Sequence, residues 1–274
     1  MIHIVVALPC EADPFVSRYR LTKTATATAF RLYQGDHMRV IVSGIGKTAA
    51  AAATAYLHAL TGSRADVPWL NIGIAGHAEQ TLGTGLLAHK IIDHASGRCW
   101  YPPLVTESPC RSDTVLTVDR PARHYETDYL YDMEAAGFYG TACRLVSAEL
   151  VQCYKVVSDN RQSPSENVNK TLARGLIADR IGEIDTLIAA LGELAGQMSD
   201  SIADPKDYAG ILARWRFSVY QQNQLRRLLQ RWQALAPTRD IWDGGLRSLK
   251  TGEQVLAFLQ AHLDAIPVRY DAAV

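Results

Sequence analysis

Three carboxylates stand where apolar runs of this sequence give way to turns, the positions at which a sheet presents side chains to a ligand. Glu11 comes just after the strand-like run Ile2 to Leu8, Glu134 follows Met133 at a strand-to-helix junction, and Asp159 follows Val157 and Ser158. Carboxyl groups in such places can give or take a proton, or accept hydrogen bonds from hydroxyls. Each also has an ordinary role: a cap after a buried strand for Asp159, a first-turn helix glutamate favoured by the macrodipole for Glu134, and a surface glutamate for Glu11.

Two glycine patterns imitate other chemistry. Ser43-Gly44-Ile45-Gly46-Lys47-Thr48 looks like a phosphate-binding loop, but the full motif needs a glycine five residues before Gly46, and Ile41 stands there. Gly44-x-Gly46-x-x-Ala49 looks like a dinucleotide fingerprint, yet the first strand of the chain lies elsewhere and no acidic residue closes a convincing second strand. A tight turn that sets a helix N-terminus against a sheet accounts for the glycines.

The elements that must position these residues follow from periodicity. Ile2 to Leu8, Arg39 to Val42, Val67 to Ile74, Leu86 to Asp93 and Leu150 to Val157 read as buried strands. Thr48 to Leu60, Ala135 to Ala148 and Val168 to Gly196 read as helices. Strands alternating with helices predict an α/β fold with a sheet covered on both faces. From Ser96 to Tyr129 the chain is polar and contains proline, and no period emerges. A boundary is expected near Ser199 to Pro205, separating residues 1–199 from a helical appendage at 200–274. There Ile211, Trp215 and Val219, then Leu225, Leu228, Leu229 and Trp232, recur at helical spacing.

Composition narrows the classes. The chain is 48% hydrophobic and 20% charged with zero formal net charge, so neither disorder nor a general affinity for nucleic acid is favoured. Its apolar stretches are too short or too interrupted to span a bilayer, and the start has no secretion-signal pattern, so no membrane partner and a cytoplasmic location are expected. The five cysteines form no CxxC pair or zinc-spaced cluster, which predicts neither a disulfide framework nor a metal.

Four segments in order carry a resemblance: Ala7-Leu8-Pro9-Cys10-Glu11-Ala12, Ser43-Gly44-Ile45-Gly46-Lys47, Asn71-Ile72-Gly73-Ile74-Ala75-Gly76, and Asp132-Met133-Glu134-Ala135-Ala136 with Val157-Ser158-Asp159. Together they resemble the nucleoside phosphorylase/nucleosidase superfamily, most closely its methylthioadenosine/S-adenosylhomocysteine nucleosidase branch, over about residues 1–197. The resemblance implies a mixed central β-sheet in a three-layer sandwich, with residues 1–199 as the catalytic domain. It implies cleavage of the N-glycosidic bond of a purine nucleoside, with Asp159 protonating the base at N7 and Glu11 acting on the attacking water. Glu134 would bind the ribose hydroxyls with Met133 packed on the sugar, and Gly73 and Ser158 would complete the substrate site. The implied partner is a small-molecule nucleoside, with phosphate as a possible co-substrate and no cofactor. A homo-oligomer follows from the resemblance alone.

This chain also departs from the pattern. Lys155 stands where arginine usually precedes Ser-Asp; it supplies charge but not a bidentate fork. Asn71 and Ile74 replace the arginine and hydroxyl that help bind phosphate in the phosphorylases, which favours water as the nucleophile. His77 replaces a small residue. The segment before Glu134 is short and lacks the usual base-stacking aromatic, for which Phe138 and Tyr139 are the nearest substitutes. Hydrolysis is therefore the leading expectation, phosphorolysis the second, and nucleoside binding without turnover a third. Acidic-partner binding by Arg214, Arg216, Arg226, Arg227 and Arg231 is weaker than a solvated helix face.

Overall fold

In the computed structural model, which describes residues 1–24, 29–62, 66–202 and 204–266, runs of β-branched and leucine residues build a single sheet. The elements in chain order are β1 (Ile2–Val6), α1 (Pro9–Tyr19), β2 (Thr22–Lys23), β3 (Arg31–Gln34), β4 (Met38–Val42), α2 (Lys47–Leu60), β5 (Trp69–His77) and β6 (Gly85–Asp93). There follow β7 (Cys99–Trp100), β8 (Ser112–Thr117), β9 (Leu130–Asp132), α3 (Ala135–Ala142), β10 (Val151–Asp159), α4 (Lys170–Asp179) and α5 (Ile181–Ile202). The last helices are α6 (Tyr208–Arg214), α7 (Val219–Leu235) and α8 (Gly252–Asp264).

β5 runs parallel to both β1 and β10, and β1 runs parallel to β4. Because β10 also pairs with β6, β6 with β8, β8 with β9 and β9 with β5, these five strands close into a barrel within the larger mixed sheet. Alternate residues feed two cores. Val5, Ile41, Trp69 and Val151 pack with Ala50, Ala53 and Leu57 of α2 and Phe138 of α3. Ile4, Val40, Leu70 and Ile72 pack on the other side with Phe15 of α1, Ile177 of α4 and Leu187 of α5. The result is the three-layer α/β arrangement that apolar runs without polar alternation require, since a strand buried on both faces has no side for water.

Two helical expectations need correction. The helix read as Ala135 to Ala148 ends at Ala142, where the N–H groups of Arg144 and Leu145 turn back to the carbonyls of Thr141 and Ala142 and tighten the chain. The stretch read as Val168 to Gly196 is two helices, broken at Arg180, whose Nε donates to the Gly83 carbonyl at 2.6 Å and whose Nη1 pairs with Glu183. No helix among the described residues is long and apolar enough to cross a membrane.

The chain divides into two compact units, Met1–Ser201 and Ile202–Val274. The second has its own core of Ile211, Trp215, Leu225, Leu228, Leu229 and Trp232 with Val255, Leu256 and Leu259. Ser218 and Thr251 form capping boxes with Gln221 and Gln254 at the starts of α7 and α8. Trp215 and Trp242 stack with ring centroids 6.3 Å apart, and each indole N–H has an acceptor, Leu249 O and Asp207 Oδ1 respectively. Val219, placed on the apolar stripe by its spacing, is instead exposed at the first turn of α7. Arg226 is tied to Asp204 at 2.8 Å and Arg214 donates to the Arg247 carbonyl.

Candidate active site

At the carboxyl ends of β1, β5, β9 and β10 lies a cavity of about 330 Å³, lined by Glu11, Met133, Glu134, Ser158 and Asp159 together with Leu8, Ile45, Ile74, Gly76, Tyr125 and Tyr131. Residues read from separate segments of sequence thus meet in one place. Gly73 stands behind the lining: a Cβ there would lie 3.1 Å from Glu11 Oε1 and 3.6 Å from Lys155 Nζ, so glycine lets these charged groups close over the strand.

Glu11 is held by the ends of two strands. In the first turn of α1 it reaches back so that Oε2 accepts from the N–H groups of Ala7 at 2.9 Å and Leu8 at 2.8 Å, while Oε1 accepts from Ile74 N–H at 3.1 Å. Burial pushes its pKa up; these three donors and Lys155 oppose that push.

Glu134 closes β9 and precedes α3. Its Oε1 accepts from Gly46 N–H at 2.8 Å, and Gly46 can present that N–H because its φ of +103° suits glycine. The loop that imitates a phosphate cradle therefore grips a carboxylate of the chain itself. Burial, then the neighbouring Asp132 charge, raises the Glu134 pKa to about 7.

Asp132 holds this junction. Its Oδ2 accepts from Ala135 N–H at 2.7 Å, capping α3, its Oδ1 accepts from Thr117 at 2.7 Å, and Lys155 Nζ lies 2.8 Å from Oδ2. Lys155 is fully buried and makes a single-point ion pair in place of a fork. Burial alone would lower its pKa, but Asp132 and Glu134 outweigh burial and hold the ammonium charged. The sequence pattern assigns Asp132 no task of its own; the signal it carries is its position two residues before a helix-first glutamate.

Asp159 ends β10 where the register against β5 shifts between Val157 and Asp159. Such an irregularity re-aims side chains, and here Ser158 and Asp159 both reach the cavity. Ser158 Oγ donates to Asp159 Oδ1, and the Tyr125 hydroxyl donates to Oδ2. Burial, followed by the hydrogen bond to Asp159, raises the Tyr125 pKa.

Phe138 and Tyr139 do not serve the cavity. Both lie on α3 in the core, at 0% and 3% exposure, because that face packs on the sheet. The aromatic residues that line it are Tyr125, from the aperiodic stretch, and Tyr131 of β9, edge-to-face at 5.3 Å. Asn71 is buried below the cavity, its Nδ2 donating to the Val5 carbonyl, whereas Ile74 faces the cavity. His77 is buried at the end of β5, where Nδ1 accepts from Glu79 and Gln80 N–H at 3.0 Å and Nε2 faces Asp113 at 3.4 Å. Arg31 is exposed on β3 and absent from the lining.

With these strands and this cavity, the chain has the fold of the nucleoside phosphorylase/nucleosidase superfamily. It is similar to the Colwellia psychrerythraea 5′-methylthioadenosine/S-adenosylhomocysteine nucleosidase in complex with adenine, with TM-score 0.52 and 18% identity over 66% of this chain and 94% of that one. The Arabidopsis thaliana 5′-methylthioadenosine nucleosidase matches with TM-score 0.56 and 18% identity over 69% and 95%. A futalosine hydrolase mutant of Helicobacter pylori matches with TM-score 0.52 and 12% identity over 69% and 98%. No family model and no curated protein matches the sequence.

Proposed function

We propose that this protein hydrolyses the N-glycosidic bond of a purine nucleoside or a 5′-substituted adenosine. The observation that carries the reading is the convergence of Glu11, Glu134 and Asp159, from three separate elements, on one cavity with no lysine or arginine among its described lining residues. A doubly charged phosphate needs several charge-assisted donors to offset its desolvation, and here it would meet carboxylates. Water needs one positioned acceptor.

In this reading Asp159 gives a proton to the base at N7 as the bond from the base to the sugar C1′ breaks and its electron pair leaves with the base. Glu134 accepts hydrogen bonds from the ribose hydroxyls and opposes the positive charge that grows on the sugar. Glu11 holds the water whose oxygen bonds to C1′ and takes up the proton that water releases. Its raised pKa, away from the ordinary carboxylate range, suits that second task.

Glu134 can accept from both ribose hydroxyls and oppose the sugar cation only when ionised, so kcat/KM should rise as pH passes upward through about 7. Glu134→Gln, which has no proton to lose, should abolish this limb. It should also cost more turnover on ribosides than on matched 2′-deoxyribosides, because the deoxy sugar already lacks one partner. Equal losses on both sugars would remove Glu134 from the ribose site.

The function itself is tested by incubating the protein with a panel of purine nucleosides and following release of free base in phosphate-free and phosphate-containing buffer. The expected result is release at the same rate in both. Phosphate-dependent release would make the protein a phosphorylase, and binding without release would make it a nucleoside-binding module.

A further inference from the structure

The connection between β8 and β9 forms a strap over the cavity, contributing Val118, Pro121, Ala122 and Tyr125 to its lining. It is tied down at several points. Arg161 Nη2 donates to the Tyr125 carbonyl at 3.2 Å, Ser165 Oγ donates to the Ala122 carbonyl, and the Tyr131 hydroxyl accepts from the N–H groups of Glu126 and Thr127 at 3.1 and 3.0 Å. This frame delivers the Tyr125 hydroxyl to Oδ2 of Asp159, and β5 leaves room for the meeting at Gly76. A Cβ there would stand 2.5 Å from the hydroxyl and 2.7 Å from Oδ2.

We propose that Tyr125 is a specificity-determining residue that selects 6-oxopurine over 6-aminopurine bases, which narrows the substrate of the proposed function to a 6-oxopurine nucleoside and disfavours a 5′-substituted adenosine. The inference rests on the reading of Asp159 as the acid that meets N7. Asp159 is buried, and both its oxygens accept hydrogen bonds, Oδ1 from Ser158 and Oδ2 from Tyr125. When Oδ2 carries the proton destined for N7, it becomes a donor and a poorer acceptor, so the Tyr125 O–H is left without a full partner unless the base supplies one. A buried donor left without a partner is penalised, more heavily than a made hydrogen bond is rewarded.

The base decides whether that happens. On the edge of a purine that carries N7, the neighbouring substituent on C6 is an acceptor in a 6-oxopurine and a donor in a 6-aminopurine. Protonated Asp159 and Tyr125 side by side offer two donors, which match N7 and a 6-oxo group and leave a 6-amino group facing the hydroxyl proton. As the base departs with the bonding electrons, negative charge spreads onto the 6-oxo oxygen. The hydroxyl there stabilises the transition state more than the bound substrate.

The test compares wild type and Tyr125→Phe on inosine and adenosine, which share one sugar. Wild type should favour inosine, and the variant should lose about tenfold or more in kcat/KM on inosine while changing less than about threefold on adenosine. Equal changes on both, or a wild-type preference for adenosine, would overturn the inference. Calorimetric binding of free hypoxanthine and adenine asks the same question without turnover. If neither nucleoside is cleaved yet hypoxanthine binds tighter and only its affinity falls in the variant, the hydrolase reading fails and the role of Tyr125 stands. If both nucleosides are cleaved with equal preference, the role of Tyr125 fails and the hydrolase reading stands. Should the variant not fold, the wild-type series inosine, purine riboside and adenosine decides: the 6-oxo member must be fastest, and a fastest 6-amino member refutes the assignment.

Discussion

Asp159→Asn is expected to lower turnover by about a hundredfold or more, the usual contribution of a positioned general acid, while the protein retains its fold. Asparagine keeps an oxygen that can accept from Ser158 or Tyr125, so the cavity wall is preserved. What it lacks is a proton to give. The register shifts at the end of β10, where Asp159, the one carboxylate of that strand, lines the cavity. Steady-state turnover measured beside a thermal melt checks the expectation, and unchanged turnover would remove Asp159 from the mechanism.

Lys155→Met should lower folding stability by about 3–5 kcal/mol, because it leaves the buried Asp132 carboxylate without its counter-charge. Lys155 and Asp132 are both sealed from solvent, with side chains 1% and 0% exposed, so the charge that remains cannot be relieved by water. The consequence reaches the site, since Asp132 caps α3 and α3 begins beside Glu134. Urea denaturation measures the loss. Adding Asp132→Asn to the same chain should recover part of it, as the unpaired charge is then gone. A loss below about 1 kcal/mol, or no recovery in the double variant, would show that the pair does not carry this charge balance.

The central strands were legible because most of their residues are buried and they therefore appear as largely apolar runs. Ile2–Val6, Met38–Val42, Gly85–Asp93 and Val151–Asp159 depart from their expected limits by one or two residues. β8 and β9 were not legible. Ser112–Thr117 runs as three polar, two apolar and one polar residue, and Leu130–Asp132 is three residues long, so neither sustains a period. Their absence from the sequence reading hid the strap between them and with it Tyr125, an isolated tyrosine in a polar stretch that only the tertiary fold brings to Asp159.

The carboxylates were visible as residues from their positions alone, and only the resemblance joined them into one site. Spacing cannot reveal that the glycine loop after β4 binds Glu134, because the Gly46 to Glu134 hydrogen bond crosses 88 positions of sequence. The same holds for Lys155. Its type suggested a weaker substitute for arginine, whereas its surroundings give it one partner, Asp132, and two further carboxylates nearby, Glu11 and Glu134. In the second unit the apolar spacing marked the core correctly except at Val219, where the capping box at Ser218 starts the helix and leaves its first residue facing solvent.

Cleavage of a purine nucleoside in ¹⁸O-labelled water containing phosphate, with the products resolved by mass, shows directly whether water attacks the sugar. Hydrolysis should give free sugar carrying one heavy oxygen, formed together with unlabelled base. Ribose 1-phosphate as the main sugar product, or free sugar without the label, would contradict it.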